Sequence, residues 1–168
     1  ASAVIPIFNF PKWRYANLFE VLLYPAHFNE NFETAGGGRN ILGMVGTGYM
    51  EGKMILSKQA LHHGFDVNND KKNTAIHEFV HLLDKMDGVT DGIPHVLLER
   101  PYVIPWLNVL QIEMEAIYKK KSGINPYGGT NKAEFFAVAS EYFFEKPKLL
   151  EKKHPELYGL MEEIYDHD

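Results

Sequence analysis

Two histidines and a glutamate stand at the spacing of a zinc-binding helix. His77 and His81 are four residues apart and Glu78 follows the first of them, so in a helix both imidazoles lie on one face. Two imidazoles at this spacing can bind one Zn²⁺, and the adjacent carboxylate is within reach of a metal-bound water. The pattern predicts metal-dependent hydrolysis. The alternative is an ordinary amphipathic helix carrying two partly exposed histidines.

The segment 74–84 has the sequence properties of that helix. Its apolar residues recur at helical spacing, and it contains neither glycine nor proline. Asn73, Thr74 and the polar cluster at 68–70 are the candidates for its N-cap, and Gly88 is expected to end it.

A catalytic zinc ion usually has three protein ligands, so one ligand must come from another part of the chain. The sequence contains no cysteine, which excludes thiolate ligands and leaves histidines and carboxylates. Asp84 lies on the same helix as the two histidines. His62, His63 and His95 are candidates, although each is more typical of a loop or surface histidine.

A second source of ligands is the helix predicted at 131–145. It is apolar, yet it carries Glu134 and Glu141, which lie seven residues apart and therefore on one face. A buried carboxylate is costly unless it is paired or bound to a metal. In the alternative interpretation Glu134 caps the helix after Asn131 and Glu141 is exposed.

The first half of the chain is expected to supply a small sheet. Residues 1–17 lack a clear period and are interpreted as an irregular arm, and 18–24 as a buried strand. A loop is predicted at 25–40 and a β-hairpin or edge strand at 41–57. Residues 58–70 are interpreted as a polar connection.

The second half is expected to be helical. One helix is predicted from Pro105 to Lys121, another at 131–145, and one or two short helices at 147–165. We therefore predict an α+β fold, in which a small mixed sheet packs against the metal-binding helix and the later helices close the other side of the cleft.

Composition limits the classes of protein to which the chain can belong. Its 168 residues, 45% hydrophobic and 23% charged, predict a single soluble domain over residues 1–168. A net charge of −5 argues against a general nucleic-acid surface. No apolar run reaches the length of a membrane span, and no signal peptide opens the chain. We expect a cytoplasmic protein, with any upstream anchor or signal lying outside this chain.

Two blocks of sequence resemble a known family. Residues 77–84 and 124–144 are similar to the Mlc titration factor A family of zinc metallopeptidases, and residues 20–25 and 54–57 look like its strand segments. The resemblance covers nearly the whole chain from about residue 14. The block 127–134 is also similar to the catalytic domain of anthrax lethal factor.

The resemblance implies a role for individual residues. By it, Glu134 is the third zinc ligand and Glu78 the general base, with one zinc ion per chain. Tyr127 would donate its hydroxyl hydrogen to the tetrahedral intermediate. The family also implies a zincin-like, gluzincin-type fold and suggests aminopeptidase-like action on a peptide or protein substrate.

The sequence departs from these relatives at two points. The N-terminal helical region of the family is missing from this chain. Lethal factor has a carboxylate four residues after its glutamate ligand, where this chain has Val138. The group that orients a ligating histidine is therefore expected to be Asp84, Glu141 or a backbone carbonyl.

Two functions of different kinds follow. The first is a zinc-dependent peptidase, favoured because both Glu78 and Tyr127 are present and zinc binding alone needs neither. The second is a regulatory protein that sequesters a transcriptional repressor, as the family name implies, with a structural or vestigial zinc site. A metal-dependent oxygenase suits the residues less well, because two histidines and a glutamate accompanied by a base favour hydrolysis.

Overall fold

A computed structural model describes residues 1–10, 12–66 and 71–165. The cap candidates at 68–70 lie outside these residues. The α+β class is confirmed, because one small sheet from the first half of the chain is combined with helices that follow it. The strands are β1 (Glu20–Tyr24), β2 (Gly43–Val45) and β3 (Lys53–Ser57). The helices are α1 (Lys58–Asp66), α2 (Thr74–Asp84), α3 (Arg100–Tyr118), α4 (Lys132–Glu145), α5 (Pro147–Lys153) and α6 (Pro155–Tyr165).

The sheet is mixed, with strand order β1-β3-β2. β3 pairs in parallel with β1 and antiparallel with β2, so the hairpin predicted at 41–57 is confirmed. The strand predicted at 18–24 is present as β1, but the prediction that it is buried is wrong. β1 is an edge strand, and Val21 and Leu23 are 42% and 50% exposed. An apolar run does not reveal whether one or both faces of a strand are covered.

The polar connection predicted at 58–70 is wrong over residues 58–66, which form α1. The Ser57 hydroxyl accepts a hydrogen bond from the backbone N–H of Ala60 at 3.0 Å, the contact of a helix N-cap. Gly64 lies against Asn73 so closely that a Cβ would be 2.9 Å from its Cγ. The residues of α1 have a weak intrinsic preference for the helix, and the helix packs against the start of α2.

The second predicted helix begins earlier than expected. α3 starts at Arg100 with a proline in its first turn, and Pro105 lies inside the helix. Pro101, the second residue of the helix, is the proline of its first turn, whereas the sequence prediction assigned that place to Pro105. The helix ends at Tyr118 rather than Lys121.

Helix α2 is covered on two sides. One side, with Ile76, Val80 and Leu83, belongs to the main core that α3, α4 and α6 complete. The other, with Phe79 and Leu82, packs with the apolar side chains of β3. A third side of the helix lines an open cleft and carries His77, Glu78 and His81. Because the two apolar sides are buried, the helix cannot rotate, and these three side chains face the cleft.

The N-terminal arm is irregular apart from a 3₁₀ turn at Ile5–Ile7. Several of its apolar side chains pack on the main core, whereas Val4 and Phe8 are exposed. Two asparagines bond the arm to the helices. Asn9 donates to the Tyr165 carbonyl at 3.0 Å and Asn17 to the Leu82 carbonyl at 2.8 Å. Among the residues that the structure describes, no helix is long and apolar enough to cross a membrane.

Candidate metal centre

Three side-chain atoms from α2 and α4 meet at the floor of the cleft. His77 Nε2 lies 2.9 Å from Glu134 Oε2 and 3.1 Å from His81 Nε2. His81 Nε2 lies 3.4 Å from the same Glu134 oxygen. In the described residues this is the one cluster of histidine, aspartate and glutamate side chains with ligand atoms close enough to hold a metal ion.

Asparagine side chains cap the N-terminal ends of α2 and α4, close to the residues of the cluster. The Asn73 side chain accepts from the backbone N–H of Ile76, so Asn73 is the cap of α2. The Asn131 side chain accepts from the Glu134 backbone N–H at 2.9 Å, which confirms the predicted cap of α4. The Glu134 carboxylate contacts the histidines. Only the backbone N–H of Glu134 takes part in the cap, so the alternative in which this residue acts as a cap does not account for its side chain.

The donor set fits a tetrahedral zinc site. Ligand atoms about 2.0–2.1 Å from zinc lie about 3.3 Å apart in tetrahedral geometry, and the three separations here are 2.9, 3.1 and 3.4 Å. Two imidazole nitrogens and one carboxylate oxygen are also donors that zinc accepts in catalytic sites. The residues present therefore fit such an ion with one position left for water or substrate.

His77 is held from behind by a chain of hydrogen bonds. Its Nδ1 lies 2.7 Å from Glu141 Oε1, and the other oxygen of this carboxylate accepts the backbone N–H of Asn73 at 2.5 Å. Glu141 is buried, with 5% of its surface exposed, so the exposed alternative for this residue is wrong. A carboxylate in this place fixes the ring orientation of a ligating histidine.

These contacts shift the pKa values of both partners. Burial lowers the pKa of His77, but hydrogen bonds to Glu134 and Glu141 and the charges of Glu141 and Glu78 outweigh burial and raise it to about 10. Burial raises the pKa of Glu134, and the hydrogen bonds from the two histidines outweigh it and bring the pKa to about 2. A metal ion bound at these atoms must replace the His77 proton, so metal binding strengthens as pH rises.

His81 is supported differently. Its Nδ1 is buried and has no hydrogen-bond partner in the part of the chain that the structure describes. Asp84 does not supply one, because both of its oxygens accept the backbone N–H of Gly92 at 3.1 and 2.9 Å. Burial is the main cause that raises the pKa of Asp84 to about 6. Asp84 and Glu141 are the two carboxylates predicted as partners of a ligating histidine, and only Glu141 hydrogen-bonds to an imidazole ring.

Glu78 lies beside the three donor atoms and lines the same cleft. It is buried, with 6% of its surface exposed. Burial raises its pKa, while the charges of His77 and His81 and a hydrogen bond from the Val45 backbone lower it. A carboxylate with a raised pKa is better suited than an ordinary one to taking and returning a proton.

Tyr127 stands at the rim of the cleft on a 3₁₀ turn, Pro126–Gly129. Its ring centroid is 6.0 Å from that of His77, and the residue is 53% exposed. Burial, the charges of Glu134 and Glu78 and a hydrogen bond to Glu134 raise its pKa, so the hydroxyl keeps its proton at neutral pH. The other candidate ligands, His62, His63 and His95, are exposed and do not line this cleft.

Two residues of the site were not identified from sequence. Asn73 was considered only as a cap, yet its backbone N–H also anchors Glu141. Gly43 of β2 lies against the Glu78 side chain. The only signal for the latter is its place in a glycine-rich segment, and that signal does not separate Gly43 from its neighbours.

The chain is similar to several known proteins. Mlc titration factor A of Pectobacterium atrosepticum is 32% identical over 163 residues, which is 89% of this chain and 59% of that protein. The Escherichia coli protein of the same name is 31% identical over 161 residues, with the same two shares. An uncharacterized Synechocystis protein is 33% identical over 119 residues, 68% of this chain and 43% of its own length.

The chain thus spans about three-fifths of the length of the Mlc titration factors that it matches. The match to a family profile is more complete and extends over residues 1–166, including every residue of the candidate metal centre. The chain belongs to the family described as glucose-regulated metallo-peptidase M90.

Proposed function

We propose that the protein is a zinc-dependent peptidase. One observation carries the proposal: the buried carboxylate of Glu78 opens into the same cleft, of about 690 Å³, as the His77, His81 and Glu134 donor atoms. A site that only held a metal ion would need no additional buried carboxylate. We further infer a zincin-type arrangement in one metallopeptidase domain over residues 1–168, with one zinc ion per chain.

In this proposal His77, His81 and Glu134 hold the ion. When bound, zinc acts as a Lewis acid, which makes water a better nucleophile at neutral pH and draws electrons from the substrate carbonyl. Glu78 accepts the proton of the attacking water and returns it to the leaving amine. The Tyr127 hydroxyl donates a hydrogen bond to the carbonyl oxygen as negative charge develops there.

An extended peptide is the substrate that suits the opposite wall of the cleft. β2 is an edge strand of the sheet and lines the cleft with Gly43, Met44 and Val45. A peptide added along such an edge gains main-chain hydrogen bonds with little dependence on its sequence. An aminopeptidase-like preference, suggested by the family resemblance, is part of the same proposal.

Replacement of Glu78 by Gln tests the proposal. The Glu78→Gln variant should bind one zinc ion per chain like the wild type, and its peptide hydrolysis should fall at least about 10²–10⁴-fold. Zinc is measured by elemental analysis and hydrolysis with a mixed peptide library. Glu115→Gln, on the exposed part of α3, is the control. Hydrolysis retained in Glu78→Gln would contradict the assignment.

A regulatory function is the second candidate, favoured by the name Mlc titration factor A that the relatives carry. In that case the protein binds a transcriptional repressor in the cytoplasm and the metal site is structural. Binding of purified Mlc is measured by gel filtration with the wild type and with Glu78→Gln. A zinc-loaded wild type that binds Mlc and hydrolyses no peptide would favour this function over the peptidase.

A further inference from the structure

Gly43 of β2 lies against the side chain of Glu78. A Cβ placed on Gly43 would lie 2.8 Å from Glu78 Cγ, 2.9 Å from Glu78 Oε1 and 3.0 Å from Leu56 Cδ2. Contacts of this length require a neighbour to move. Gly43 is not among the glycines with positive φ. A Cβ at position 43 therefore fits only if the Glu78 and Leu56 side chains shift, and the backbone conformation places no further requirement on this residue.

The hydrogen-bond pattern of the hairpin shows which backbone groups face the cleft side of β2. The Leu42 carbonyl and the Gly46 N–H bond to β3 at 2.9 and 2.8 Å. In an antiparallel pair, alternate residues bond to the partner strand and those between them face the other way. The N–H and C=O groups of Gly43 and Val45 therefore point to the outer edge.

Part of this outer edge is already used. Ile41 exchanges two backbone hydrogen bonds with Phe28, at 3.1 and 3.0 Å. The backbone of Val45 hydrogen-bonds to the Glu78 carboxylate. What remains for a docked peptide is the N–H and C=O of Gly43 and the C=O of Val45. The same three-residue strand thus meets the Glu78 carboxylate and any peptide bound along the edge.

We propose that Gly43 is a positioning residue, whose bare Cα provides the space in which the Glu78 carboxylate is held beside the metal donors. The inference rests on the proposed function, since it concerns the group that moves the proton. The Glu78 side chain lies against Gly43, accepts a hydrogen bond from the Val45 backbone and lines the same cleft as the donor atoms. A side chain at position 43 displaces that carboxylate while His77, His81 and Glu134 keep their geometry.

A double-mutant cycle on chelator-treated protein tests the contact without any substrate. The urea midpoint is measured for the wild type, Gly43→Ala, Glu78→Ala and the double variant. Gly43→Ala should lower the midpoint in the wild-type background and lower it clearly less when Glu78 is Ala. The contact with Leu56 is present in both backgrounds and cancels. Equal shifts in the two backgrounds would overturn the proposal.

Kinetics of the zinc-loaded protein test the consequence. In Gly43→Ala, kcat should fall about 10–100-fold, because displacement by about 1 Å has effects of this size. Zinc content should remain at the wild-type value and KM within about threefold, an effect that general destabilisation would not produce. Gly37→Ala is the control, since a Cβ there meets no atom within 4 Å. An unchanged kcat would overturn the proposal.

The stability cycle and the kinetic measurements can fail independently, so they distinguish the role of Gly43 from the proposed peptidase function. A zinc-loaded wild type that hydrolyses no peptide overturns the peptidase, and the stability cycle still decides whether Gly43 and Glu78 are in contact. An active wild type with equal midpoint shifts overturns the role of Gly43 and leaves the peptidase standing.

Discussion

The two ends of helix α2 differ in whether a buried carboxylate contacts the histidine there. At the N-terminal end, His77 Nδ1 is 2.7 Å from Glu141, which α4 brings from 64 residues away. At the C-terminal end, Asp84 follows His81 by three residues, yet its carboxylate binds the Gly92 backbone N–H. Closeness in sequence therefore did not decide which carboxylate supports a histidine.

The two ends differ in the backbone N–H groups nearby that need a hydrogen-bond acceptor. The N-terminal end faces α4, whose backbone groups are bonded within the helix, so Glu141 is available to His77 and to the Asn73 backbone. The C-terminal end faces the loop after Gly88, where the Gly92 N–H is buried and needs an acceptor. The carboxylate nearest to the buried amide meets that need, and His81 Nδ1 is left without a partner in the described residues.

The largest effect is expected where the two ends share a ligand. Glu134 contacts both His77 and His81, so Glu134→Ala removes one of three donors and an anionic charge. We expect zinc content to fall from one per chain to a trace after gel filtration, as measured by elemental analysis. Glu115→Ala, an exposed glutamate of α3, is the control. Full zinc content in Glu134→Ala would show that the third ligand lies elsewhere.

A smaller effect should separate the two carboxylates. Glu141→Ala removes the hydrogen-bond partner of His77, and we expect zinc affinity to fall about 10–100-fold, as for other groups that orient a ligand. Asp84→Asn should leave zinc affinity within about threefold, because Asp84 contacts a loop amide and no histidine. Competition with a chromophoric chelator measures both. Equal losses of affinity in the two variants would remove the distinction between the ends of α2.

The smallest effect concerns stability and pH. The pKa of Asp84 is raised from 3.8 to about 6 in the folded chain, so the folded state binds this proton more tightly than the unfolded state does. The free energy of unfolding should therefore fall as pH rises from about 4 to about 6, by roughly 1–2 kcal/mol, and then level off. Asp84→Asn should lack this component.

Urea unfolding of both proteins between pH 4 and pH 7 checks this expectation. Contributions from the histidines are common to wild type and variant and cancel in the difference. A difference that stays constant over this pH range would contradict the raised pKa of Asp84.

Local signals explain what could be predicted from sequence. The caps Asn73 and Asn131 act on amides within three residues, and the apolar period of α2 extends over its whole length, so these helices were located correctly. α1 was missed because its sequence is polar and interrupted by Gly64, and its packing partner Asn73 lies on another helix. The start of α3 was misplaced because two prolines, Pro101 and Pro105, offer the same signal.

The parts of the site that sequence could not supply depend on distant contacts. The approach of Gly43 to Glu78 is set by how β2 lies on α2, and no residue pattern encodes that distance. The choice between Glu141 and Asp84 depends on where the Gly92 amide points, which follows from the fold of the loop. The exposure of β1 depends on which of its faces other elements cover.

The span between the donors has a consequence for the newly made protein. Glu134 follows His77 by 57 residues, and Glu141 comes later still. A chain emerging from the ribosome displays both histidines of α2 before Glu134 and Glu141 have left the exit tunnel. Until α4 has emerged and packed, the three donor atoms cannot meet. Loading of a metal ion at these three donors would therefore be a late event in the synthesis of this protein.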